Sequence, residues 1–293
     1  MAPASITAIV TAYRRVEQTL VTLKKLKECK PPPAEILVHV DGNQAECAAA
    51  IRKAFPDVQV IFSEANIGPG GGRNKLVAAA SNSIVASFDD DSYPIDTDYF
   101  ARVLAIFLRQ PDASVVASQI TEKGNNVLTA NAAVGPAVHF GGGGVAYRRD
   151  DFLASGGYLP LAIAYGMEEV DLCIRFVDMG KKIFFSPWLR VFHDNDLSHH
   201  ASAVITAGSI ANLALLVYLR YPFRYWPYGA LQVLNRVVWL IRVGRFSGLV
   251  AGVVRIPVHI WHHRALREPV SAKSLTAFLL ARRQPAALEP LGV

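Results

Sequence analysis

Cysteine is nearly absent from this chain. Cys29, Cys47 and Cys173 are the only three in 293 residues, and they stand far apart. They form no pair at metal-ligand spacing and no even set, which excludes a disulfide-stapled fold and fits a reducing compartment. Carboxylates are scarce in the last third. Residues 200–293 hold 11 Lys and Arg but only two acids, Glu268 and Glu289, whereas residues 1–199 hold 19 basic against 22 acidic residues. The net charge of +6 therefore belongs to the tail. A comfortable membrane span is lacking too: the apolar run 203–219 is short for one and is interrupted by Ser209 and Asn212. The first apolar stretch is too short and too strand-like for a signal peptide. Internal repeats and low-complexity segments are absent.

What is present is a core-forming composition, 52% apolar, with a mean hydropathy of +0.25. The length suits one sizeable α/β core plus an appendage. Residues 6–12, 35–40, 58–62 and 84–88 read as buried strands. Helical spacing fills 15–28, 45–54 and 73–82 between them, the last after a Gly-rich loop from Asn66 to Gly72. This alternation predicts a parallel sheet with helices on both faces, and ligands bind such sheets beyond the carboxyl ends of the strands. The strands run into Thr11, Asp41, Asn66 and Asp89, which should converge on one crevice. Further on, 98–109 and 168–179 read as helices, and 114–119 and 181–192 as strands. Phe140 to Tyr147 reads as a strand interrupted by glycines, as where a ligand or backbone comes close.

Four constellations carry chemistry. Asp89-Asp90-Asp91 follows a buried strand directly. Adjacent carboxylates repel, and a divalent cation such as Mg²⁺ relieves that repulsion. In an extended segment Asp89 and Asp91 share a side and Asp90 points away. The alternative is a solvated loop or helix cap. Glu168 and Glu169 open a helix, where the dipole favours negative charge; one of them can instead serve as a general base. Arg175 can pair back to Asp171. The glycines of 66–72 free backbone N–H groups to approach an anion. His193 ends a strand and can ligate a metal, with Asp194, Asn195, Asp196, His199 and His200 close by.

In this order the pieces resemble the family 2 inverting glycosyltransferases. The likeness covers roughly residues 5–196, through Thr11-Ala12-Tyr13-Arg14, Asp41, Asn66 to Asn74, Phe88-Asp89-Asp90-Asp91, Gly156-Gly157-Tyr158, Glu168 to Leu172, and Val191-Phe192-His193. It implies a GT-A α/β fold over residues 1–199, with a mostly parallel central sheet; residues 200–293, beyond the likeness, read as a basic, aromatic-rich helical C-terminal region. It implies a nucleotide-sugar donor, UDP- or dTDP-linked, held by Thr11, Ala12, Tyr13, Asp41, Arg73, Asp89 and Asp90. Mg²⁺ or Mn²⁺ would sit on Asp91 with Asp89 and His193. Glu169 stands in the position of the base, usually an Asp in the family, and Glu168 is the alternative. The acceptor would be a glycan or a lipid-linked glycan of cell-surface polysaccharide synthesis.

The tail interleaves aromatics with arginines, as helices lying on an anionic membrane surface do. That predicts a cytoplasmic enzyme peripheral to the inner face of the cell membrane. The alternatives are a tail packed on the core or pairing two copies; nucleic acid is excluded because the tail is too apolar. Two other functional readings stay open: a sugar-nucleotide pyrophosphorylase, and an inactive membrane-bound assembly partner. The β–α turn at Thr11 to Arg15 lacks the glycines a pyrophosphorylase needs.

Overall fold

The computed structural model describes residues 4–163, 165, 167–195, 202–284 and 287–292. Strand and helix alternate through the first third: β1 (Ala4–Ala12), α1 (Val16–Glu28), β2 (Pro33–Val40), α2 (Ala45–Ala54), β3 (Gln59–Phe62), α3 (Gly68–Ala79) and β4 (Ile84–Asp89). Then come β5 (Ser92–Pro94), α4 (Tyr99–Arg109), β6 (Ala113–Glu122), β7 (Ala133–Ala137), β8 (Gly144–Arg148), α5 (Arg149–Ala154), α6 (Glu168–Asp178) and β9 (Lys182–His193). The C-terminal part adds α7 (Ala203–Arg220), α8 (Trp226–Arg242), α9 (Leu249–His263), α10 (Ala272–Ala281) and β10 (Glu289–Pro290).

One sheet runs in the order β10-β7-β9-β6-β8-β4-β1-β2-β3, with β5 paired to β9. The strands β3, β2, β1 and β4 are mutually parallel. The sheet is mixed beyond them, because β8 inserts antiparallel between β4 and β6, while β6 and β9 are again parallel. The two-residue period of the strands builds two cores. Ala8 and Val10 of β1, Val38 of β2 and Ala86 of β4 face the core closed by α1, α2 and α4. Ile9, Leu37 and Val85 face the other, closed by α3, α6, α7 and α10.

Two expectations need correction. The Gly-rich stretch is not a loop: α3 begins at Gly68, so its glycines lie inside the first turns. Both oxygens of Asp41 accept the N–H groups of Ile67 and Gly68, at 3.0 and 2.9 Å, which satisfies orphan donors at the helix start. The anion at this N-terminus is thus one of the chain's own carboxylates. The stretch 140–147 is a strand only from Gly144; Gly141 to Gly144 form a turn closed by a 3.1 Å backbone hydrogen bond.

The tail divides. Among the described residues α7 is the one helix long and apolar enough to cross a membrane, yet most of it is buried inside the protein. Its polar groups fix it there. Asn212 donates to the carbonyl of Ile163 at 2.8 Å and its Oδ1 accepts from His259 Nε2 at 2.9 Å, and Arg220 donates to Asp171 of α6 at 2.6 Å. Leu215 and Leu219 of α7, with Leu275 and Phe278 of α10, join the second core. Helices α8 and α9 instead leave Leu231, Leu234, Trp239, Val250, Val254, Val258 and Trp261 exposed.

Candidate active site

The crevice forms where the parallel strands end. Register places Thr11 beside Asp89 and His39 beside Thr11, so the ends of β1, β2 and β4 lie level. Thr11, Asp41, Asn66 and Asp89 line one cavity of about 480 Å³, together with Ala12, Tyr13, Arg15, Asp90, Asp91 and His193. A second cavity of about 930 Å³ adjoins it and shares Pro69, Asp89, Ala162, His193 and Ile205. Its walls include Arg73, Glu168, Glu169 and Gly141 to Gly143. Both volumes suit small-molecule sites.

At the shared wall Asp89, Asp91 and His193 bring their ligand atoms within 4.8 Å of one another. Backbone pairing makes this group: β5 lies antiparallel on the end of β9, Ser92 opposite His193, and the Asp194 N–H donates to the Asp91 carbonyl at 2.8 Å. The His193 Nε2 lies 3.1 Å from Asp91 Oδ1. Burial works against the charge of Asp91, but the hydrogen bond from His193 and the charges of His193 and Arg15 hold it below the usual carboxylate range. Burial would lower His193; Asp91 outweighs it and raises the imidazole. Two carboxylates and an imidazole are a donor set that fits Mn²⁺ well and Mg²⁺ through the oxygens.

Asp90 has a different place. It is buried and accepts the Tyr13 N–H at 3.1 Å and Arg15 at 3.4 Å, while its carbonyl accepts the Thr22 hydroxyl at 2.9 Å. Its carboxyl group therefore fastens the turn between β1 and α1. Burial and the neighbouring Asp91 push it up to about 7. Arg15, not singled out in the sequence, also donates to Asp91.

Arg73 lies at the floor. Its guanidinium donates to Asp89, to Ser87 at 3.1 Å and to Glu168 at 3.2 Å. Burial would lower it, but the Asp89 and Glu168 carboxylates raise it. Its side chain is 2% exposed, so it acts through these carboxylates. Glycines clear its surroundings: a methyl on Gly142 would stand 2.6 Å from the guanidinium carbon.

The two glutamates separate. Glu168 is buried, and Arg73 holds its Oε1. Glu169 is partly exposed, and its Oε1 accepts the Gly142 N–H at 3.3 Å. Burial raises both, and Glu169 adds to the rise of Glu168, to about 8. Asp171 pairs with Arg175 at 2.7 Å as expected. Asp196, His199 and His200 lie outside the described residues, as does the expected domain boundary at 199/200.

The second cavity also takes Val204 and Ile205 from α7 and Arg236 from α8. The tail thus contributes to its wall, which the sequence did not suggest.

No curated protein matches the chain. Solved structures share its fold. The mannosyltransferase PcManGT from Pyrobaculum calidifontis, in complex with GDP-Man and Mn²⁺, is 15% identical with a TM-score of 0.58, over 97% of this chain and 81% of that one. TarS 1–349 of S. aureus, in complex with UDP-GlcNAc, is 15% identical with a TM-score of 0.59, over 79% and 72%. GalNAc-T7 with UDP, GalNAc and Mn²⁺ is 14% identical with a TM-score of 0.58, over 74% of this chain and 48% of that one, so this chain spans about half its length. The fold is GT-A. Residues 7–152 match the model of glycosyl transferase family 2, and the chain belongs to that family of glycosyltransferases.

Proposed function

We propose that the protein transfers a sugar from a nucleoside diphosphate donor to an acceptor hydroxyl by one in-line displacement that inverts the anomeric carbon. The observation that carries this reading is the group Asp89, Asp91 and His193 on the wall between two cavities, with Glu169 facing the larger one. Thr11, Ala12, Tyr13 and Asp41 line the smaller cavity and would hold the nucleoside. Asp89, Asp91 and His193 would hold Mn²⁺ or Mg²⁺, which when bound neutralises charge on the departing diphosphate. Glu169 takes the acceptor's hydroxyl proton as that oxygen bonds to the anomeric carbon and the bond to the diphosphate breaks. Its raised affinity for protons suits a base working near neutral pH. Glu168 holds Arg73, which in turn positions Asp89.

The exposed apolar residues of α8 and α9, with Arg224, Arg242, Arg255 and Arg264 exposed beside them, support attachment to an anionic membrane surface at the inner face of the cell membrane. A lipid-linked or glycan acceptor of surface-polysaccharide synthesis fits that location. A panel of UDP-, dTDP- and GDP-sugars titrated with and without Mn²⁺ tests the donor reading: binding to at least one must require the metal. No metal-dependent binding to any donor would favour the inactive assembly partner. Co-sedimentation with phosphatidylglycerol vesicles tests the surface. Binding no greater than to phosphatidylcholine vesicles would remove it.

A further inference from the structure

One cation in the larger cavity has no counterpart. Arg236 of α8 lines it with Tyr165, Ile205 and Glu169. The other guanidinium groups nearby are engaged: Arg73 by Asp89 and Glu168, Arg15 by Asp90 and Asp91. Arg236 has no hydrogen bond and no ion pair among the described residues; its guanidinium carbon lies 5.4 Å from the Trp239 ring centroid. Of the titratable groups that act on it, the Tyr165 phenol favours its charge, while Arg245 and Arg282 are cations of its own sign; no carboxylate is among them. It is only half-exposed, and burial lowers its proton affinity. A partly desolvated guanidinium without a partner is costly, and an arriving anion relieves that cost.

The chemistry of the anion follows from its surroundings. The donor's diphosphate is accounted for at the wall with Asp89, Asp91 and His193. Arg236 belongs to the part of the wall that the tail builds, where Val204 and Ile205, with Ile163, give an apolar lining. Its own helix carries Leu234 and Trp239 outward, 55% and 46% exposed. A ligand with an anionic head and an alkyl chain matches both: the head at Arg236, the chain along the apolar wall toward the exposed face of α8. A guanidinium pairs with phosphate oxygens in bidentate geometry.

We infer that Arg236 is the acceptor's specificity group and binds the phosphate of a lipid-phosphate-linked acceptor, setting the acceptor hydroxyl before Glu169. This rests on the transferase reading above. The test uses the full chain, with octyl phosphate, octanol and UDP with Mn²⁺ as separate probes, read by tryptophan fluorescence or calorimetry. Wild type should bind octyl phosphate more tightly than octanol. Arg236→Ala should weaken octyl phosphate roughly 10- to 100-fold, the worth of a charge-assisted hydrogen bond, with octanol and UDP–Mn²⁺ binding unchanged. Arg236→Lys should recover part of the loss. Unchanged octyl phosphate binding in Arg236→Ala overturns the inference. So does a parallel fall in UDP–Mn²⁺ affinity, which would assign the arginine to the donor. A wild-type chain that binds octyl phosphate through Arg236 but no donor with any metal leaves the phosphate site standing and sinks the transferase reading, and with it the acceptor role.

Discussion

The two adjoining cavities are built on opposite principles. In the smaller one the ionic groups are matched within the first 195 residues: Asp41 by backbone N–H groups, Asp90 by Tyr13 and Arg15, Asp91 by Arg15 and His193. In the larger one Glu169 meets the Gly142 N–H and Arg236 meets an aromatic face, and part of the wall comes from the tail. A diphosphate donor is a constant object, and preset charges can await it. On the reading proposed above the larger cavity would serve the acceptor, and its shape depends on helices that the family's domain does not include.

That contrast can be broken most sharply at Glu169. Glu169→Gln should lower kcat by on the order of 10²–10⁴, the usual worth of a general base, while metal-dependent donor binding survives. Turnover at the wild-type rate would take the base away from this residue. The next largest effect concerns the seat of the tail. Asp171 is fully buried and holds both Arg175 and Arg220. Asp171→Ala leaves the buried Arg220 with only Glu268, whose carboxylate is exposed, and should cost about 3–5 kcal/mol, seen as a lower denaturant midpoint at an unchanged slope. A midpoint equal to wild type would mean that α7 is not held through this pair.

On the donor side, Asp91→Ala should abolish the Mn²⁺ dependence of donor binding, and chelation should do the same to the wild type. Titrations that coincide with and without metal in wild type would dismiss the metal group. The smallest expected effect is a shift along the pH axis. Burial raises Glu169, and a base works only when deprotonated, so activity should fall with acidification at a pH above that of an ordinary glutamate. An acid limb of kcat/KM no higher than that of an ordinary glutamate would take the raised base away from Glu169.

The sequence revealed the smaller cavity far better than the larger one. Apolar strands ending at Thr11, Asp41 and Asp89 are local signals, and parallel register alone brings them level. The grouping of His193 with the aspartates was legible from the order of motifs. Its cause, the short β5 pairing back on β9, was not, because three residues carry no periodicity. The start of α3 was misplaced because glycine propensity argues against helix there; Asp41, distant in sequence, supplies the caps. Arg15 and Arg236 gave no sign, since an arginine on an amphipathic segment looks the same whether it faces solvent, a carboxylate or a cavity. Hydropathy could not separate α7 from α9: both are apolar, and only the tertiary contacts of Asn212 and Arg220 show that α7 belongs to the interior.

The glycines around Arg73 invert the meaning of a common experiment. Gly142 lies against the guanidinium, Gly143 against the Asp89 carboxylate and Gly70 against Glu168. Alanine scanning elsewhere deletes contacts. At these three positions it inserts a methyl where a charged group already stands. A map of mutational tolerance would therefore show troughs at residues that have no side chain at all.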